Sequence, residues 1–418
     1  MNIFHCVLSP AILTLEVAII MSREVRYVLH GIYTTKTLIF IFIFFAITFT
    51  SASMESGYYF LLPYLEGVGI EIGTLGGLVM GLCYAVSFTL RPFVPYASKR
   101  LGRQAIIRFG YVCYIISALG LALFARSALS AVLWRTLAGL GMGVVSIIVQ
   151  SYEYQLLPEA VRGRCVSLIT IAYSLPSLLV VPTMEMLLKQ QLYSFYIFTF
   201  PLIAALGLFA VMKLPEADDI SIKRNIENVS YISLLKSPQI IFFAMSVALF
   251  AFSDAGQLRF VQLAEERGIT ASYFFSVSAL IAMLFRLFCG KLVDKLPRKV
   301  CAPISTLIVA SMIFVMTFAT GRLCFIVCGI IFGLAMGFGY PAFMCLTLDL
   351  GGRRSAVLTL AVIFGFTYNT QFFLAPIALQ YILNITGDAT TAFRLLYGII
   401  MLLSIIVIYF SPRMYKES

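Results

Sequence analysis

The sequence predicts an all-α membrane protein of 12 transmembrane helices in two pseudo-symmetric six-helix bundles. Three observations predict it. The 418 residues are 61% hydrophobic and only 12% charged, against about 25% charged in soluble domains, so too little polar surface exists to cover a fold in water. Apolar runs of the length needed to span a bilayer, about 20 residues, recur along the chain. The second half repeats features of the first at an offset of 195 residues.

The N-terminal segment, 1–36, holds the apolar stretch "VLSPAILTLEVAII", which is short and interrupted by Glu16. It lacks the basic start and small-residue cleavage site of a signal peptide. Met21, followed by Arg23 and Arg26, reads as a natural start. Residues 1–20 are therefore expected to be disordered, to lie at the membrane interface, or to stand outside the natural protein. The spans follow at 38–62, 73–97, 105–125, 128–153, 164–188 and 193–212. A polar linker occupies 213–237. The second set lies at 238–262, 272–293, 300–320, 323–348, 355–383 and 391–411. Barrel strands would be about 10 residues long and alternate; these runs are twice that and do not. The predicted organisation is an N-terminal bundle over 37–212, a C-terminal bundle over 238–412 and a tail at 413–418.

Lys and Arg orient the chain. Twenty-one of them fall on the N-terminus, the even-to-odd loops and the C-terminus, whereas only Arg126, Lys189, Arg267, Arg322 and Arg394 occupy the opposite loops. Both termini are thus expected in the cytoplasm, with the protein in a bacterial inner membrane. The net charge of +11 sits in these short flanking clusters, which argues against a nucleic-acid partner. Nine cysteines, scattered through apolar runs, show no CxxC or Cys/His spacing, and His5 and His30 both precede the first span, so no metal site or disulfide framework is expected. No nucleotide-binding loop or nucleophile triad appears, and an enzyme is not expected.

Two charged knots carry the repeat. "GKLVDKLPRK" (290–299) follows the eighth span, and "PYASKRLGRQ" (95–104) follows the second. Arg91 falls on Arg286, Arg100 on Lys295 and Arg103 on Arg298. "SMESGYY" (53–59) matches "SDAGQL" (253–258), with Glu55 over Asp254. "RTLAGLGMG" (135–143) matches "GIIFGLAMG" (329–337). On these residues the chain resembles the major facilitator superfamily of transporters. "GKLVDKLPRK" is similar to the superfamily's loop signature, with Pro297 at its second glycine, and "RTLAGLGMG" to its fourth-span signature. The resemblance covers about 37–412 and implies two bundles rocking around a central site.

The resemblance also implies roles. Asp294, Lys295 and Arg298, with Arg353 and Arg354 in the neighbouring loop, would latch the cytoplasmic face. Arg100 and Arg103 hold the matching places in the first half, where Lys99 stands in place of the Asp. A charge at mid-membrane costs about 2.5–3.5 kcal/mol on insertion scales, so Glu55, Arg135 and Asp254 are candidates for substrate binding or proton coupling. Glu55 and Arg135 lie about 10 Å deep at 1.5 Å per residue, which permits a Glu55–Arg135 pair. The resemblance places all three in the cavity, since spans 1, 4, 7 and 10 line it, and drug:proton antiporters of the superfamily similarly combine a first-span acid with the fourth-span Arg. A static ion pair is the alternative reading. In "FTYNTQFF" (366–373), Tyr368, Asn369 and Gln371 cannot all face lipid, and Asn369 is the first choice to face the cavity; Tyr58 adds an amphipathic ring there. Arg91 and Arg286 are expected to snorkel to the interface, and Arg259 to attract anions or flank the span at the outer mouth.

The function implied is secondary transport of a small polar, amphipathic or anionic metabolite, driven by the proton gradient without a cofactor, by a monomer. Export of a metallophore or drug is the first expectation. The alternatives are proton-coupled uptake of a metabolite or siderophore, and a non-transporting receptor or scaffold on the same fold.

Overall fold

A computed structural model describes residues 35–91, 93–156, 162–214, 237–289, 291–351 and 354–414. Every regular element among them is helical, as lipid demands of a chain that must satisfy its own backbone. In the first half α1 (Thr35–Gly57) passes through a 3-10 turn, Tyr58–Phe60, into α2 (Leu61–Gly67). Then come α3 (Gly76–Leu90), α4 (Val94–Leu101), α5 (Arg103–Phe124), α6 (Ala128–Leu156), α7 (Arg162–Lys189) and α8 (Tyr193–Met212). The second half repeats the order. Helix α9 (Pro238–Ala255) passes through a 3-10 turn, Gly256–Arg259, into α10 (Phe260–Glu266). Then follow α11 (Ser272–Phe288), α12 (Lys291–Lys295), α13 (Arg298–Met316), α14 (Arg322–Gly351), α15 (Arg354–Thr386) and α16 (Ala389–Met414).

Ten helical stretches of the described residues are long and apolar enough to cross a membrane. Large apolar side chains such as Phe42, Phe195 and Leu402 point outward, while Ser53, Thr306 and Ser404 are buried, the reverse of a soluble protein. The protein is a multi-pass integral membrane protein. Two of the twelve expected spans fall outside the ten. In the run at 272–293 the apolar helix covers Ser272–Phe288, 17 residues, and the chain breaks there before the short charged helix α12. The run at 355–383 lies inside the 33-residue α15. The second run, expected to reach 97, likewise ends at Leu90 before the separate helix α4. The N-terminal segment and most of the linker lie outside the described residues.

Helix packing repeats between the halves. The contacts α3–α6, α5–α6, α5–α8, α1–α7 and α1–α8 recur as α11–α14, α13–α14, α13–α16, α9–α15 and α9–α16. Small residues let these helices approach. A Cβ on Gly139 of α6 would sit 2.8 Å from the Cys83 Cα of α3, and one on Gly333 of α14 would sit 2.5 Å from the Ser278 carbonyl of α11. Both 3-10 turns are tied down alike: Tyr196 Oη donates to the Gly57 carbonyl at 3.0 Å and Tyr397 Oη to the Ser253 carbonyl at 3.0 Å.

Two helix pairs join the halves, α3 with α15 and α7 with α11. The face bearing the Lys/Arg-rich loops is here termed proximal, the opposite face distal. On the distal side a Cβ on Gly77 or Gly81 of α3 would lie within 2.8 Å of the Pro376 or Phe373 carbonyl of α15. The rings of Tyr59 and Phe275 stack across the halves at 5.0 Å.

Candidate functional site

Beneath the distal closure, α1 and its 3-10 turn, α3, α5 and α6 surround a small pocket of about 10 Å³, room for about one water, onto which Glu55, Tyr58, Cys83, Tyr84 and Arg135 face. Arg135 is 5% exposed. Its Nη2 donates to Cys83 Sγ at 2.9 Å, its Nε to the Val79 carbonyl at 3.3 Å, and its guanidinium lies 4.3 Å from the centre of the Tyr58 ring. Tyr58 is itself fixed by stacking on Phe200 at 4.1 Å. Glu55 and Arg135 therefore share a pocket, but the ion pair that their depth permits is not among those within 4 Å in the described residues. The physical reason is that a sulfur, a carbonyl and an aromatic face on α1 and α3 already occupy the guanidinium. The approach of Cys83 on α3 to Arg135 on α6 is not visible in the sequence.

The second half carries its own carboxylate. Asp254, 6% exposed, accepts hydrogen bonds from Tyr368 Oη of α15 and from Gln257 Nε2 in the 3-10 turn. Tyr59 is close enough to feel both Glu55 and Asp254 electrostatically. Asn369, the first choice in its stretch, turns back and donates to the Gly365 carbonyl of its own helix at 2.7 Å. An amide one position beyond Tyr368 lies 100° around the helix, so the two cannot face the same partner. Gln371 is half-buried nearly one turn further along.

Among the latch residues, the side chains of Asp294 and Arg354 and the whole of Arg353 lie outside the described residues. Lys295 is exposed. Arg298 Nε donates to the Val293 carbonyl at 2.8 Å, Arg100 lies 4.8 Å from the Tyr96 ring of its own helix, and Arg103 is half-buried.

Three further groups emerge only in three dimensions. Arg91 and Arg286 do not snorkel: the Nε of each is buried without a hydrogen-bond partner. Arg259 does not flank the outer mouth; it is 2% exposed and its Nη2 donates to Gln380 Oε1 at 2.6 Å, with Glu66 of the first half within electrostatic reach. Glu185, in the last turn of α7, reaches the other half. It accepts from the backbone N–H groups of Ala271 and Ser272 at 2.9 and 2.8 Å and from the Ser272 hydroxyl, and pairs with Lys189 at 3.1 Å. An acid in an otherwise apolar run was the available signal.

A profile of the Major Facilitator Superfamily matches residues 14–181 and 132–358. The chain belongs to the Major Facilitator Superfamily. Solved structures share its fold at low identity. A POT family transporter in complex with a thioalcohol-conjugated peptide is 14% identical, with a TM-score of 0.72 over 90% of this chain and 96% of that one. The nucleoside transporter NupG is 14% identical, with a TM-score of 0.71 over 92% and 100%. The xylose transporter XylE from E. coli, in a partially occluded inward-open conformation, is 15% identical, with a TM-score of 0.71 over 91% and 98%. Comparison with curated protein sequences gave no match. This superfamily member is a membrane transport protein for small solutes rather than an enzyme.

Proposed function

We propose that the protein is a proton-coupled secondary transporter that moves a small polar solute by alternating access, with Glu55 and Asp254 as the proton-carrying groups. The observation that carries this reading is the presence of two carboxylates at repeat-related positions, one in each half, both within electrostatic reach of Tyr59. A carboxylate in a cavity that opens and closes exchanges water for protein dipoles, and that change in environment loads and releases a proton. Arg135, held by Cys83, Val79 and Tyr58, keeps a positive charge beside Glu55 without quenching it in a pair. The twelve spans form two six-helix bundles, 37–212 and 238–412, in this reading, with both termini cytoplasmic. The repeated packing pairs support the bundles, and the Lys/Arg bias supports the orientation.

The narrower placement among drug or metabolite:proton antiporters rests on the first-span acid and fourth-span Arg alone. A D-xylose–proton symporter shares the fold at 16% identity, so the same architecture serves coupling in either direction. The test is proton flux into proteoliposomes under an imposed pH gradient, with pooled cell metabolites and metallophores as substrates. Substrate-dependent flux is expected in the wild type and absent in Glu55→Gln. Flux that survives in both Glu55→Gln and Asp254→Asn would remove the coupling roles.

A further inference from the structure

Arg91 and Arg286 occupy equivalent places in the repeat, at the proximal ends of α3 and α11. Each reaches across to the other half. A Cβ on Gly365 of α15 would lie 2.9 Å from Arg91 Nη1, and Arg286 Nη1 donates to Ser174 Oγ of α7 at 3.2 Å. Tyr340 of α14 is within electrostatic reach of both guanidinium groups, so the two cations, one from each half, lie in the neighbourhood of one phenol. The nearby acid is Asp254, which acts on Arg286 but already accepts hydrogen bonds from Tyr368 and Gln257. Two positive charges thus face one committed negative charge. The buried Nε–H of each arginine is unpaired, and an unmet buried donor on a charged group is costly.

We propose that Arg91 and Arg286 form the binding site for a small soluble oxyanion, a carboxylate or phosphate group, held between the two halves of the transporter. This substrate class deepens the transport reading above and rests on it. Guanidinium groups present two parallel N–H donors to a carboxylate or phosphate, and an oxyanion would supply the acceptors that both Nε–H groups lack. Because one arginine comes from each half, the anion would join the bundles where they must separate and reclose. Arg135, the arginine the sequence offered for substrate binding, is already engaged by Cys83, Val79 and Tyr58. Asp254 would compete with the anion for Arg286, so a proton on Asp254 would release Arg286 for the substrate and tie anion binding to proton binding.

The test reads binding without any gradient. The purified protein in phosphatidylcholine nanodiscs is titrated with sodium succinate, sulfate and phosphate, each against sodium chloride at equal ionic strength, and thermal unfolding is followed. A bound ligand raises the midpoint in a saturable way. At least one of the three anions is expected to do so beyond chloride, with affinity at least tenfold weaker in Arg91→Gln and in Arg286→Gln. Asp254→Asn is expected to bind several-fold more tightly. If the Gln variants do not fold, the Lys variants, which keep the charge but lose the fork, are expected to bind several-fold more weakly. Three anions indistinguishable from chloride, Arg variants that respond like the wild type, or Asp254→Asn without tighter binding would each overturn the proposal. So would stabilisation by phosphatidylglycerol discs with no response to the soluble anions, since the occupant would then be a lipid headgroup. Proton flux lost in Glu55→Gln tests coupling separately, so either reading can fail while the other stands.

Discussion

The distal closure hangs on one carboxylate, and Glu185→Gln should loosen it. Glu185 is 6% exposed and takes three hydrogen bonds from the first turn of α11, two of them backbone N–H groups with no partner inside their own helix. Its pairing with Lys189 is within α7 and on an exposed lysine, so it persists whichever way the halves move and contributes little. The cross-half bonds exist only while the distal face is closed. A glutamine keeps one carbonyl acceptor but turns an amide N–H toward a backbone N–H, so at least one charge-assisted bond is lost. Such a bond is worth about 1.5–3 kcal/mol, which multiplies the ratio of distally open to closed protein by about 10 to 150. The assay is a spin-label distance measurement between Gln190 and Arg267, each replaced by a labelled cysteine, at the distal ends of α7 and α10. The wild type should show mainly the short distance, and Glu185→Gln a substantial long component. An unchanged distribution in a folded variant would refute the reasoning, because the carboxylate would then carry no share of the closure.

Other outcomes follow from the same contacts. Arg135→Lys keeps the charge but cannot reach Cys83 and the Val79 carbonyl while covering the Tyr58 ring; transport measured in proteoliposomes should fall about tenfold or more, at the ~1.5–3 kcal/mol of one lost charged hydrogen bond. In Gly256→Ala the new methyl would overlap the Tyr397 hydroxyl, and overpacking of this kind costs about 1–3 kcal/mol, read as a lower unfolding midpoint. Asp388, in the turn before α16, accepts from the Thr391 N–H at 2.6 Å, which holds its carboxyl below the usual range. A depressed acid stabilises above its unfolded value, about 3.9, and that share is lost as pH falls through the folded value. Asp388→Asn should therefore lower the thermal midpoint at pH 7, and the difference from the wild type should shrink as pH falls through the folded value.

The membrane class, the approximate limits of most helices and the internal repeat were legible in the sequence, because apolar length and period are local properties that lipid enforces residue by residue. The same held for Glu55, Arg135 and Asp254, since a charge inside an apolar run stands out wherever the run packs. Partners were not legible. That Arg135 settles on Cys83 rather than Glu55, that Tyr368 and not Asn369 reaches Asp254, and that Glu185 grips α11 depend on which faces of distant helices meet. The breaks at Leu90 and Phe288 also had to be seen, because the charged knots that follow them still hold scattered apolar residues that let a run be drawn on past its end. Arg91 and Arg286 show the division most plainly. Position near a helix end suggested that they reach for water, and only the crossing of α3 with α15 and of α7 with α11 turns them inward, where long side chains meet the other half of the chain before they meet solvent.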